Sequence, residues 1–169
     1  MPNRYFSLLA RYNSWANQRL YAAVGQLPEA EYMQPRPAFF GSIHATLNHI
    51  LVGDRLWIAR IEEREPPKLA LDQILYGDFV GLRVARVAED EHIVNVVGGI
   101  GDDRLDQLLH YRTVKGEPQR TPLRLVLGHF FNHQTHHRGQ VHGLLSQTAV
   151  APPPLDLIYF LRESGAAGG

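Results

Sequence analysis

Three histidines crowd the run Phe130-Phe131-Asn132-His133-Gln134-Thr135-His136-His137-Arg138-Gly139-Gln140, in the middle of a long apolar pattern. An α-helix turns about 100° per residue, so His133, His137 and Gln140 project from one face. Val126, Phe130, Val141 and Leu144 share that side, so the polar trio sits in a stripe that should face a core. Arg138 and His142 point roughly the other way, and His136 falls at the stripe's edge. Two imidazoles at i and i+4 can grip one ion, as in the His-Glu-x-x-His helices of zinc proteases. Here Gln134, Thr135 and His136 fill the gap. The glutamate that serves as general base in that motif is absent.

A third imidazole comes from an earlier segment. Residues Ile43 to about Glu63 read as a helix N-capped by Ser42 and ended by Glu65-Pro66-Pro67. Its polar residues His44, Asn48, Arg55 and Glu62 form one narrow stripe expected to face water. His49 lies off that stripe, beside the small residues Ala45 and Gly53, and points inward. A buried imidazole without a partner costs about 1 to 3 kcal/mol, so inward histidines need one. His49, His133 and His137 converging on one ion would leave a further position for water or substrate, as in catalytic zinc sites. The alternative is that each bonds a backbone carbonyl or a buried acid such as Asp54. Imidazole suits zinc, nickel, iron and copper alike. The chain has no cysteine, which excludes thiolate sites and disulfides.

Other candidates read more modestly. His129, one turn before His133, is a pocket residue or a packed core histidine. His136 is a pocket-edge or solvated group, and Gln140 orients a ligand or bridges helices. Glu89-Asp90-Glu91-His92 holds one Glu-x-x-His, but di-iron bundles need a second such pair and two further glutamates, so a surface charge run is expected.

The elements that must position these residues are helical. Asn3 to about Val24 carries Tyr5, Leu8, Leu9, Tyr12, Trp15, Ala16, Leu20 and Ala23 at helical period. Gln26 to Gly41, with three prolines, reads as a loop. A third helix is expected from Leu71 to about Val97, closed by Gly98-Gly99. Leu105 to Gln119 reads as a short hairpin or an irregular loop. Thr121-Pro122 caps a last long helix to about Gln147, and a short helix follows from Leu155 to Arg162. The expectation is an all-α four-helix bundle with a short irregular or hairpin insertion before the last long helix, one domain over residues 1–164 and a disordered tail at 165–169. Leu127, Phe131 and Leu145 form a second apolar stripe on the last long helix, which makes that helix central or shared with a second subunit. Seventeen basic and seventeen acidic residues cancel, without the footprint of a nucleic-acid or membrane-surface binder. With no signal-like or membrane-spanning segment, a cytoplasmic protein is expected.

Tyr12-Asn13-Ser14-Trp15-Ala16-Asn17, Gly41-Ser42-Ile43-His44-Ala45-Thr46-Leu47-Asn48-His49-Ile50, His133 through Gln140, and Pro154-Leu155-Asp156-Leu157-Ile158-Tyr159-Phe160-Leu161 together resemble the DinB family of DNA-damage-inducible proteins. The resemblance implies a four-helix bundle, commonly a homodimer, with a divalent metal on His49, His133 and His137, zinc or nickel before iron. It also implies kinship with transferases and isomerases that use low-molecular-weight thiols. Two functions follow as expectations: a metal-dependent thiol transferase or hydrolase, or a non-catalytic dimeric interaction module whose metal is structural or incidental.

Overall fold

A computed structural model describes residues 2–165. All but the first residue of the expected tail lies outside them. In chain order the elements are α1 (Asn3–Val24), α2 (Glu29–Met33), α3 (Ile43–Ile61), α4 (Phe79–Gly98), β1 (Leu108–Arg112), β2 (Pro118–Pro122), α5 (Leu123–Leu145) and α6 (Leu157–Glu163). Each long helix buries its apolar face against two others: α1 packs on α4 and α5, and α3 packs on α5 and α4. The four long helices therefore close a ring of neighbours, the expected four-helix bundle. Ser42 caps α3 as predicted, its Oγ accepting from Ala45 N at 3.0 Å.

The hairpin form of the insertion is the one adopted. β1 and β2 pair antiparallel with Leu109 opposite Thr121 and Tyr111 opposite Gln119. Gly116 makes the turn at φ +84°, where a side chain would be strained. Thr121 belongs to the strand and does not cap α5. Instead Leu123 N and Arg124 N donate to the carbonyls of Gln107 and Leu105, satisfying the first turn of α5.

Other expectations fail as well. The stretch expected to open a helix at Leu71 is an irregular strap up to Asp78, and Leu71 and Ile74 are exposed. Asn48 holds the strap, its Oδ1 accepting from Leu75 N at 2.9 Å and Tyr76 N at 3.0 Å, and Asp78 then caps α4. Asn48 and His44 accordingly do not face water: both are buried, and His44 Nδ1 lies 2.8 Å from the Tyr32 hydroxyl of α2, a helix within the expected loop. Tyr5, although part of the helical apolar pattern of α1, is exposed, and Tyr12 and Trp15 are half-buried beneath Phe160 of α6.

The core is two apolar clusters separated by a polar belt. One gathers Phe6, Ile58, Ile93 and Phe130; the other gathers Leu20, Leu47, Leu82 and Val141. Between them, on every long helix, stand buried polar residues: Asn13 and Asn17, Asp54, Arg86 and Asp90, Gln134 and Arg138. Leu127, Phe131 and Leu145 are buried within the same chain, so the second apolar stripe of α5 is covered by the bundle itself. Among the described residues no helix is long and apolar enough to cross a membrane.

Candidate metal centre

The packing of α3 on α5 sets His49 against His133 and His137 at the height of the polar belt. One nitrogen from each ring lies within 4.8 Å of the other two, a spacing that could hold a metal ion. The three rings sit 4.4 to 5.2 Å apart by centroid. His49 and His137 are buried, and His133 is partly exposed.

Hydrogen bonds set the tautomers of two rings. His49 Nδ1 donates to the carbonyl of Leu71 at 2.7 Å, and His137 Nδ1 donates to Gln140 Oε1 at 2.8 Å. The Gln140 amide is oriented in turn by His136, 3.3 Å from its Nε2. With each Nδ1 carrying the proton, both Nε2 atoms keep bare lone pairs, yet they face one another at 3.2 Å. Two acceptors at that distance have no proton to share. A cation between or beside them removes the repulsion.

The rings are electrostatically ready for one. Burial lowers the pKa of His49 against the opposing pull of its Leu71 hydrogen bond and of Asp54. Burial likewise lowers that of His137. His133 is pushed down to about 3, by burial first and then by the neighbouring imidazoles. All three are neutral at pH 7, as metal ligation requires. The backbone of α3 makes the room: a Cβ on Gly53 would stand 2.8 Å from His133 Cε1.

Several side chains take places the sequence did not assign. Phe40 stacks on His49 with centroids 3.9 Å apart and meets His137 edge-on at 5.5 Å, covering one side of the triad. The aromatic pair Phe39-Phe40 in a proline-rich loop was its only trace. Asp54 is not a histidine partner: it bonds Arg86, and its Oδ1 accepts from Gln134 Nε2 at 2.9 Å. Gln134, standing where a protease helix carries glutamate, is thus turned into the core. Arg138, expected to face away from the core, is buried against Asn13 and Asn17 of α1. Asp90 and Glu89 are buried too, which corrects the surface charge run, while His92 reaches Glu62 at 3.2 Å. His129 is exposed and packs against Trp57.

The profile of the DinB family matches residues 1–166. The chain belongs to the DinB family. Protein DinB of Bacillus subtilis strain 168 is 26% identical over 160 residues, covering 90% of this chain and 91% of that one. Among solved structures, a DinB-like protein from Bacillus cereus ATCC 10987 superposes with a TM-score of 0.63 over 83% of this chain and 90% of the other. At 15% identity, that likeness speaks to the DinB fold alone.

Proposed function

We propose that His49, His133 and His137 hold one divalent transition metal and that this DinB-family protein is a metal-dependent enzyme of thiol transferase or hydrolase type. The approach of two unprotonated Nε2 atoms to 3.2 Å carries the reading. An all-imidazole donor set suits zinc, nickel, iron and copper; of these zinc or nickel, which the family resemblance implies first, is proposed before iron. When bound, such an ion lowers the pKa of a thiol or water beside the triad and makes a nucleophile near neutral pH. The chain's own part is to aim and shield: Leu71 and Gln140 fix two rings, and Phe40 keeps water from one face. Attack by water normally wants a positioned base. Among the described residues Asp54 is the buried acid that acts on these rings, and it is already committed to Arg86 and Gln134. A thiol, which sheds its proton near pH 8.5, asks less of the protein and is the preferred nucleophile.

Elemental mass spectrometry on protein purified without a metal-binding tag tests the site. The expected result is about one ion per chain, lost in both His49→Ala and His137→Ala variants. A wild-type protein that takes up none of zinc, nickel or iron overturns the reading.

The same protein is proposed to be a homodimer. Val80, Val84 and Val87 lie on one side of α4 and are 71%, 66% and 45% exposed, a stripe whose burial in a symmetric interface would repay about 25 cal/mol per Å². Sedimentation is expected to give a dimer for the wild type and a monomer for Val84→Glu. A wild-type monomer at micromolar concentration removes this proposal.

A further inference from the structure

A second feature of the chain lies outside the histidine triad. Between the strap that follows α3 and the β-hairpin runs an open groove of ≈ 1360 Å³, lined by residues that include Leu56, Arg60, Lys68, Ala70, Tyr111 and Arg120. At its wall Arg60 is only 8% exposed, with its guanidinium 4.6 Å from the Trp57 ring and 5.6 Å from the Tyr111 ring. Its Nε is buried without a hydrogen-bond partner, and among the described residues no carboxylate pairs with it. Arginine cannot shed its charge to escape that position. A guanidinium held by aromatic rings and not by a carboxylate, with its Nε unsatisfied at the edge of a groove, favours an anionic ligand.

The surroundings agree in sign. Five arginines and lysines line the groove against two glutamates, in a chain whose formal charge is zero. Of these cations Arg64 is taken by Glu62 and Arg112 by the carbonyl of Gly116, while Glu63 is taken by Arg104. Arg60, Lys68 and Arg120 are left without an acidic partner among the described residues.

The groove and the triad share one side of α3. Arg60 is eleven residues after His49 on α3, which returns it to the same helix face about 16 Å further along. Ring contacts of 5.0 Å from Trp57 to His129 and 5.9 Å from His129 to His133 line the way. Ala70, on the groove, precedes Leu71, the partner of His49.

We propose that Arg60, with Lys68 and Arg120, binds the oxyanion end, a carboxylate or phosphate, of an extended small-molecule substrate whose other end reaches the triad. The link to the triad rests on the metal reading above; the anion site does not. Calorimetric titration of the full-length protein with succinate, and separately with inorganic phosphate, at fixed ionic strength tests it, with metal content measured on the same samples. The expected result is saturable binding of at least one probe. That binding falls about tenfold or more in Arg60→Gln, falls less in the surface variant Arg120→Gln, and is unchanged in His137→Ala. The tighter probe names the oxyanion. No saturable binding in the wild type overturns the proposal. So does binding that Arg60→Gln and Arg120→Gln both retain but His137→Ala loses, which would put the anion on the metal. Loss of metal from the wild type with anion binding intact sinks the metal reading alone.

Discussion

Gly53→Ala is expected to weaken metal binding by about 10- to 100-fold and to leave the fold intact, a loss of the size seen when a ligand's supporting contacts are removed. The new methyl group would stand 2.8 Å from His133 Cε1, 3.4 Å from Nδ1 and 3.6 Å from Nε2. The first distance is well inside van der Waals contact, so the imidazole must move. His133 is partly exposed and can swing toward solvent. The strain is therefore relieved by giving up the ligand position, with the helices left in place. Alanine is also the better helix former by about 1 kcal/mol, so thermal stability should hold or rise. Opposite signs in two measurements make the test sharp: a competition assay with a chromophoric chelator should show weaker binding, and the circular dichroism melt should show no loss. Equal metal affinity in the variant would mean that His133, in the position it occupies here, is not a ligand.

That glycine illustrates how far the sequence could be read. Helix geometry is nearly invariant, so the spacing of His133 and His137, and the inward aim of His49 beside a small Gly53, followed from counting residues. The hairpin was foreseen as one of two options for the same reason: a turn glycine between extended segments is a local signal. Residues whose fate depends on a distant partner were misplaced. His44 and Asn48 formed a polar stripe, and polarity alone does not tell water from Tyr32 or the strap. Leu71, Ile74 and Leu75 keep a helical period, yet Asn48 holds the backbone after them open until Asp78 can cap α4. Arg138 and Asp90 carry charges that favour the surface on average, but each is held across the bundle by the side-chain amides of Asn13 and Asn17 on α1. Phe40 lies on a loop, where no period constrains direction.

Arg86→Ala is expected to cost about 3 to 5 kcal/mol of folding stability, the penalty for stripping one partner from a buried ion pair. For a chain of this size that corresponds to roughly 10 °C in Tm. Arg86 is 2% exposed, bonded to Asp54, with Nη2 3.0 Å from Asp90 Oδ1. That second contact is an ion pair by distance, though not aligned as a hydrogen bond. Burial works against the guanidinium's charge, but Asp90 and Asp54 outweigh it and hold its pKa above the ordinary value. Asp90 shows the other side of the balance. Burial raises its pKa to about 6 despite Arg86 and the amide of Asn17. Removing Arg86 leaves two buried carboxylates facing each other with one fewer cation, so part of the cost should appear as proton uptake. Asp90, its pKa raised still further, would then favour the folded state at pH 5 over pH 8, because a group bound more tightly to its proton in the fold stabilises below that pKa. Urea unfolding at both pH values reads this directly. A deficit below about 1 kcal/mol would show that the belt is hydrated or relaxed. The double variant Asp54→Leu with Arg86→Met should lose less than the sum of the single losses, because it removes the Asp54–Arg86 pair together and leaves Asp90, whose carboxyl burial already pushes toward the protonated form, as the one acid to be neutralised. That recovery separates a charge network kept for orientation from one kept for stability. Gln134 hangs on Asp54 and lies next to His133, so the belt also sets the rotation of α5 that aims His133 and His137 at His49. The double variant is therefore expected to fold and yet to bind metal less tightly than the wild type.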